Sequence, residues 1–481
     1  MICDKLQTKR RPQAFIPQPK PKAPFYNQHV HGRIYLQATD CELDSRTKIN
    51  DAWSTYFSID GVLHYKGFCD DFGPMSLGTT YEFFKLLDKH LDENPGHSVI
   101  LQSKLDARAL TNAVFLLGSY LIIKHSTLQP DAVLALFQPV KHLLVSFRDV
   151  SPGEQNFHLH LRDCWAGLWR AKQLGWVKPG FHGFDAREYA HYGDPWSADL
   201  HEIVPGKFVA LRGPKGMPAG QLWRDVTTGD GRFSHRELGP AHYIDILRQL
   251  DVQAVVRLNA PEYSKEAFTE AGLGFADLFF EDCTCPPADV VAKFMMIAEG
   301  LPGALAVHCK SGLGRTGTLI ALYMMQHHGF GAREAMGWLR IVRPGSVIGP
   351  QQQYLVEREA VMRRTGSRYR SDGPNVAVRA AGPGAVARLI AEAVEVVDGR
   401  LRALRVNRRR HSLEPSSPLH SEALVGPPAS GSQSDRAARS GDLERAASAG
   451  DGEGRGALRY CADLLPLPTC SGWASPARPL F

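Results

Sequence analysis

The chain has 481 residues, 43% of them apolar, and its 56 Lys+Arg against 50 Asp+Glu leave a net charge of +6. That length suits two or three domains with real cores, and so weak a positive balance excludes a dedicated nucleic-acid binder, whose basic side chains dominate a face. Nine irregularly spaced cysteines argue for a reducing compartment, and the lack of an apolar h-region in residues 1–20 or of any run of eighteen apolar residues predicts a soluble intracellular protein with no secretory signal and no stable membrane insertion.

Residues 1–24, rich in Lys, Arg, Pro and Gln, read as an extended leader. From there to residue 370, short β-branched or aromatic runs alternate with helical patterns. The predicted strands are SVILQS (98–103), KFVAL (207–211), AVVRLN (254–259), FADLFF (275–280) and GALAVHC (303–309). The predicted helices cover 79–93, 109–125, 242–250, 315–328 and 333–342, with Gly329 and Arg343-Pro344-Gly345 as stops for the last two. Such alternation predicts an α/β fold. AVFLLGSYLII (113–123) resembles TGTLIALYMMQ (316–326), aligning Tyr120 with Tyr323. Either two buried helices are alike by chance, or the chain holds two copies of one unit with a break near 180–200. The last lysine is Lys310, and 371–481 is rich in Gly, Pro, Ala and Ser, the composition of a mostly disordered tail. Within it, Val386, Leu389, Ile390, Ala393 and Val397 fall at helical spacing, and the composition around them favours a transient helix over 385–406.

One segment carries chemistry. In Val307-His308-Cys309-Lys310-Ser311-Gly312-Leu313-Gly314-Arg315-Thr316-Gly317, a cysteine, five residues and an arginine bridge a strand end and a helix start. The amides of Lys310, Ser311, Gly312, Leu313, Gly314 and Arg315 can converge on a phosphate, and the helix dipole adds to them. Arg315 can grip two oxygens with its planar fork. The same field lowers a cysteine pKa from about 8.5 toward the range of about 3.5–7.5, which makes Cys309 a nucleophile toward phosphorus. Thr316 can donate to that thiolate, and His308 is expected to order the loop. A leaving oxygen needs a proton donor. Asp277, Glu281, Asp282 and Asp289 are the candidates, with Asp277 inside a strand, Asp289 as a helix cap, and Asp282 favoured because it follows a strand ending near Phe280.

These residues resemble the cysteine-dependent tyrosine and dual-specificity phosphatases. DLFFEDCTCP (277–286), AVHCKSGLGRTGTLIALYMM (306–325), RPGSVIGPQQQ (343–353), SFRDVSP (146–152), DFGPMSL (71–77) and IVPGKF (203–208) are similar to the mitotic-exit dual-specificity phosphatases of the cell-division-cycle-fourteen family. The resemblance spans about 25–365. It implies two tandem phosphatase-like domains, a non-catalytic one at 25–180 and a catalytic one at 203–370, joined by a linker at 181–202. In the first, Asp106 and Asn112 stand where Cys309 and Arg315 stand in the second, which excludes this chemistry there. The resemblance also implies Asp282 as the acid, no cofactor and no metal. It implies phosphoprotein substrates of proline-directed kinases, and a nuclear or cytoplasmic location that includes centrosome or spindle. It further implies an acidic substrate groove, for which the linker offers Asp185, Glu188, Asp194, Asp199 and Glu202; Arg187, Ala190 and Gly193 make it less negative than the family's. The family usually has Gly-Ser-Thr-Pro after the acid, whereas this chain has Cys283-Thr284-Cys285-Pro286, and a side chain in place of Gly would stiffen that loop. A phosphoinositide phosphatase uses the same loop but tends to carry a second lysine where this chain has Leu313. A non-catalytic scaffold has no need of Cys309, Arg315 and Asp282 together. In the tail, Arg408-Arg409-Arg410-His411-Ser412 and Ser417-Pro418 resemble kinase sites, and the basic run also resembles a nuclear-import patch.

Overall fold

The computed structural model describes residues 25–39, 53–228, 232–372 and 382–412. The leader 1–24 and the tail beyond 412, with Ser417-Pro418, lie outside them. The first domain opens with β1 (Phe25–His31), β2 (Ile34–Thr39), β3 (Ser54–Ser58), α1 (Leu77–Glu93), β4 (Ser98–Lys104) and α2 (Ala107–Lys124). It continues with α3 (Pro130–Leu136) and α4 (Leu161–Gln173). Its sheet runs β1-β2-β4-β3, with β2, β4 and β3 parallel and β1 antiparallel at the edge. A short helix, α5 (Ala186–Gly193), crosses to the second domain.

That domain comprises β5 (Leu200–Val204), β6 (Phe208–Leu211), β7 (Trp223–Thr227), β8 (Phe233–Leu238), α6 (Pro240–Gln249), β9 (Val252–Arg257), α7 (Glu266–Thr269) and β10 (Gly274–Asp277). Then come α8 (Ala288–Gly300), β11 (Ala304–His308), α9 (Gly314–His327), α10 (Ala332–Val342) and α11 (Pro350–Asp372). The sheet order β10-β9-β11-β6-β5 places β11 centrally, parallel to both neighbours, so its C-terminal end is flanked on both sides. β7 and β8 form a separate hairpin rising from the chain after β6. The two resembling segments lie on α2 and α9, the helices that directly follow β4 and β11.

Three expectations need correction. The strand read as FADLFF stops at Asp277, because Leu278 and Phe280 keep contact with β9's end through single amides only, to Arg257 and Leu258. Asp289 does not cap α8. Pro287 holds the cap position, and Asp289 pairs inside the first turn with Lys293 at 3.6 Å. The helix read as transient is α12 (Pro383–Ser412), docked on the second domain. Val386, Ile390, Ala393 and Val397 are buried, Gly274 of β10 and Gly300 of α8 make room for Val386, Ile390 and Leu389, and Asp398 meets Lys293 at 2.6 Å. An amphipathic stripe short of partners in sequence finds them in a sheet edge far away in the chain.

The two domains share a continuous apolar core that includes Phe115, Trp165, Phe330 and Trp338. Its tightest crossing is α4 on α10. A Cβ on Gly167 would stand 2.3 Å from the Glu334 carbonyl oxygen, and one on Gly337 would stand 2.7 Å from the Asp163 carbonyl oxygen. Arg170 adds bonds to the carbonyls of His328 (3.0 Å) and Gly329 (3.1 Å). Gly337→Ala therefore forces the helices apart and lowers unfolding free energy by about 1–3 kcal/mol, read as a lower denaturation midpoint; an unchanged midpoint contradicts this packing.

Candidate active site

The segment after β11 is an inside-out loop. Its carbonyls are all engaged from outside. His308 Nδ1 donates to Cys309 O (3.1 Å) and Gly213 N to Lys310 O (3.1 Å). Arg343 donates to Ser311 O (3.0 Å) and Gly312 O (2.9 Å), and the amides of Gly317 and Val347 donate to Leu313 O. The amides of Lys310 to Arg315 donate to no backbone carbonyl among the described residues, which leaves them for an anion. Gly312 makes this turn possible: its φ is +70°, and a Cβ there would sit 2.1 Å from Leu211 O. Lys310 and Ser311 are exposed at the rim, while Gly312, Leu313 and Gly314 are buried.

Cys309 is 2% exposed. Burial pushes its thiol up, but the Arg315 charge and the hydroxyl and amide of Thr316 outweigh burial and the opposing Asp282 charge, so the net displacement is downward. The Thr316 hydroxyl completes no hydrogen bond of full geometry. Close to the sulfur it still favours the thiolate. His308 is buried and held neutral, its pKa pulled down to about 4 mainly by burial. With Nδ1 donating to Cys309 O, its Nε2 accepts from the Tyr263 hydroxyl at 2.6 Å. It orders the loop and has no free nitrogen for proton transfer.

Arg315, 3% exposed, is aimed by the carbonyls of Phe280 (2.9 Å) and Leu258 (3.3 Å). Its Nε is buried without a partner, and Nη2 meets Asp282 Oδ1 at 3.1 Å. Of the four acid candidates, Asp282 alone reaches the loop. Asp277 is paired with Arg257 at 2.6 Å, Asp289 is paired with Lys293, and Glu281 is exposed. Asp282 is on a turn, its side chain 60% exposed, and it accepts the Cys283 amide at 3.0 Å.

Cys283 has φ +57°, a left-handed conformation that a non-glycine residue adopts at a cost of roughly 1–2 kcal/mol. Cys283→Gly removes that strain and raises the denaturation midpoint by the equivalent of about 1 kcal/mol; a lower midpoint contradicts it.

The linker acids have mixed placements. Asp185 caps α5 through the amides of Arg187 and Glu188, and Asp194 accepts the Trp196 amide at 3.0 Å. Glu202 accepts the Gly206 amide at 2.6 Å, and Glu188 is exposed. Asp199 turns toward the loop and pairs with Arg343 at 2.8 Å and Arg212 at 3.6 Å. Sequence reasoning missed Arg343, which is buried and holds two loop carbonyls, and Gln351, whose Nε2 donates to Thr284 O at 3.0 Å. Both lie in the RPGSVIGPQQQ segment, where an arginine followed by glycines and glutamines was a signal of special backbone.

Among the described residues no group of three His, Cys, Asp or Glu is placed to hold a metal, and no helix is long and apolar enough to cross a membrane. The chain matches two family models, described as dual specificity protein phosphatase, N-terminal half, over residues 28–171, and dual specificity phosphatase, catalytic domain, over 239–359. It is 38% identical over 337 residues to the dual specificity protein phosphatase CDC14A of Mus musculus, covering 70% of this chain and 53% of that one. It is 39% identical over 318 residues to human CDC14A, covering 66% and 51%. Against human CDC14C it is 37% identical over 321 residues, covering 66% and 68%. The chain thus spans about half the length of both CDC14A relatives.

Proposed function

Since the chain belongs to the CDC14 family of dual-specificity protein phosphatases, we propose that it hydrolyses phosphoserine, phosphothreonine and phosphotyrosine in proteins through a phosphocysteine at Cys309. The observation that carries this is the inside-out loop, with a depressed thiol at its floor and Arg315 at its wall. The Cys309 thiolate attacks phosphorus, forming the S–P bond as the P–O bond to the side chain breaks. Protonated Asp282 gives its proton to the leaving oxygen. Water then attacks phosphorus, Asp282 takes its proton, and the S–P bond breaks to release phosphate. Arg315 and the loop amides stabilise charge on the equatorial oxygens. Substrate phosphate takes Arg315 Nη2 away from Asp282, which frees the carboxyl for the leaving group.

For the substrate, we propose phosphoserine or phosphothreonine before proline, as left by proline-directed kinases. Exposed Glu188 and Asp194 on and after α5 favour a basic residue further along the peptide. The naming of the CDC14 relatives fits a role in cell-cycle control, and for that role we propose a location in nucleus or cytoplasm, at centrosome or spindle. The test compares Ser-Pro phosphopeptides with Ser-Ala phosphopeptides and with soluble inositol phosphates. Preference for Ser-Pro peptides is expected, and preference for inositol phosphates would replace the protein substrate with a lipid headgroup.

A further inference from the structure

The SFRDVSP segment of the first domain and the GPQQQ segment of the second take no part in the chemistry above, yet their side chains meet. Asp149 is 2% exposed. Its Oδ1 accepts from the amide (3.0 Å) and hydroxyl of Ser151, and its Oδ2 accepts from the Gly349 amide and from Gln352 Nε2 (2.9 Å). On its other side, Gln352 Oε1 accepts from Arg340 Nη2 at 2.7 Å. Arg340 is itself 2% exposed and also holds the carbonyls of Ser346 and Val347. One glutamine therefore joins a buried carboxylate of one domain to a buried guanidinium of the other.

The neighbouring residue faces the site. Gln351 is 1% exposed. Its Oε1 accepts the Ile348 amide at 3.1 Å while its Nε2 holds Thr284 O at 3.0 Å. Its amide group lies against the phosphate loop, since a Cβ on Gly314 would stand 2.9 Å from its Oε1. Thr284 closes the turn that carries Asp282, its hydroxyl donating to Glu281 O at 2.7 Å.

We infer that Asp149, in the domain without the Cys309 loop, is a positioning residue for the reaction: it fixes the start of α11, and so lets Gln351 hold the Asp282 turn at the loop. The inference rests on the phosphatase reading. Without the carboxylate, the Gly349 amide becomes a buried donor with no acceptor, Gln352 Nε2 keeps only the Gly349 carbonyl at 3.3 Å, and Arg340 loses the counter-charge that acts on it most strongly. The segment before α11 relaxes, and the Asp282 turn loses its anchor. A misplacement of about 1 Å costs up to about 10²-fold. The loss falls on protonation of the leaving oxygen, since the Cys309 loop keeps its other supports, His308, Arg343 and Gly213.

The experiment measures kcat/KM of the full chain on phenyl phosphate, whose leaving group needs a proton, and on dinitrophenyl phosphate, whose leaving group does not. Asp149→Leu, which keeps the size of the side chain and removes both acceptor oxygens, is expected to lose about tenfold or more on the first and less than about twofold on the second. Should that variant yield too little folded protein, Gln352→Leu cuts the same link from the other side and carries the same expectation. Arg333→Ala is the control. It removes interface bonds to His158 O (2.6 Å) and Asp163 (3.2 Å) that do not lead to the acid turn, so any loss it causes is equal on the two esters. Equal losses on both esters in Asp149→Leu, or full activity in the folded variant, overturn the positioning role. A wild type inactive on both esters overturns the phosphatase reading with it, whereas an active wild type confines the failure to Asp149.

Discussion

Cys309→Ser folds as the wild type does and loses on the order of 10⁴-fold or more of its aryl phosphate turnover. The serine hydroxyl fits the space, but no part of this loop ionises an alcohol at neutral pH, whereas the Arg315 guanidinium and Thr316 already hold the Cys309 thiol below its ordinary range. The sign of the pH dependence follows. On dinitrophenyl phosphate, whose leaving group needs no proton, the deprotonated thiol alone sets the profile, so kcat/KM climbs with pH through the thiol's pKa and then levels, and a depressed thiol puts that climb on the acid side of an ordinary cysteine's. Thr316→Ala removes one of the groups that lower the thiol, which moves the climb to higher pH. The measurement is kcat/KM against pH for wild type and Thr316→Ala. A profile that does not move, or moves toward acid, contradicts the role given to Thr316.

Asp282→Asn loses about 10²–10⁴-fold on substrates with alcohol or phenol leaving groups and much less on a dinitrophenyl ester. An amide keeps the size of the side chain and can still accept the Cys283 amide, as the carboxylate does at 3.0 Å, but it has no proton to give. Equivalent substitutions at Asp277 or Asp289 act elsewhere. Asp277→Asn breaks the pair with Arg257, and Asp289→Asn weakens a helix-turn pair with Lys293; neither changes the leaving-group dependence. If Asp277→Asn shows the selective loss and Asp282→Asn does not, the acid has been misassigned.

The parts of this site that were legible in the sequence are the local ones. Cys309, five residues and Arg315 sit between an apolar run and a helical pattern, and neighbouring residues dictate the strand, the turn and the helix start. The acid was legible only as a choice among four carboxylates, because what separates them is which partner each meets: Arg257, Lys293, solvent or Arg315. The supports of the loop were not legible. Arg343 reaches Ser311 and Gly312 only once α10 has been packed across the sheet, and Asp199, read as a groove acid, is drawn toward Arg343 and Arg212 by the fold of the linker. Distant partners also explain α12. Its stripe of Val386, Ile390, Ala393 and Val397 was visible, but the surface that buries it, β10 and α8 with their glycines, lies about a hundred residues away. The β7–β8 hairpin escaped because WRDVT and FSHREL are polar strands with little buried surface, which apolar periodicity cannot find.

The central claim is a covalent phosphocysteine at Cys309. Acid quenching of wild type during turnover, followed by digestion and mass measurement, tests it directly. The account predicts one phosphoryl group on the peptide that carries Cys309 and none in Cys309→Ser. Turnover with that peptide unmodified, or a phosphoryl group found instead on the peptide carrying Cys283 and Cys285, would contradict it.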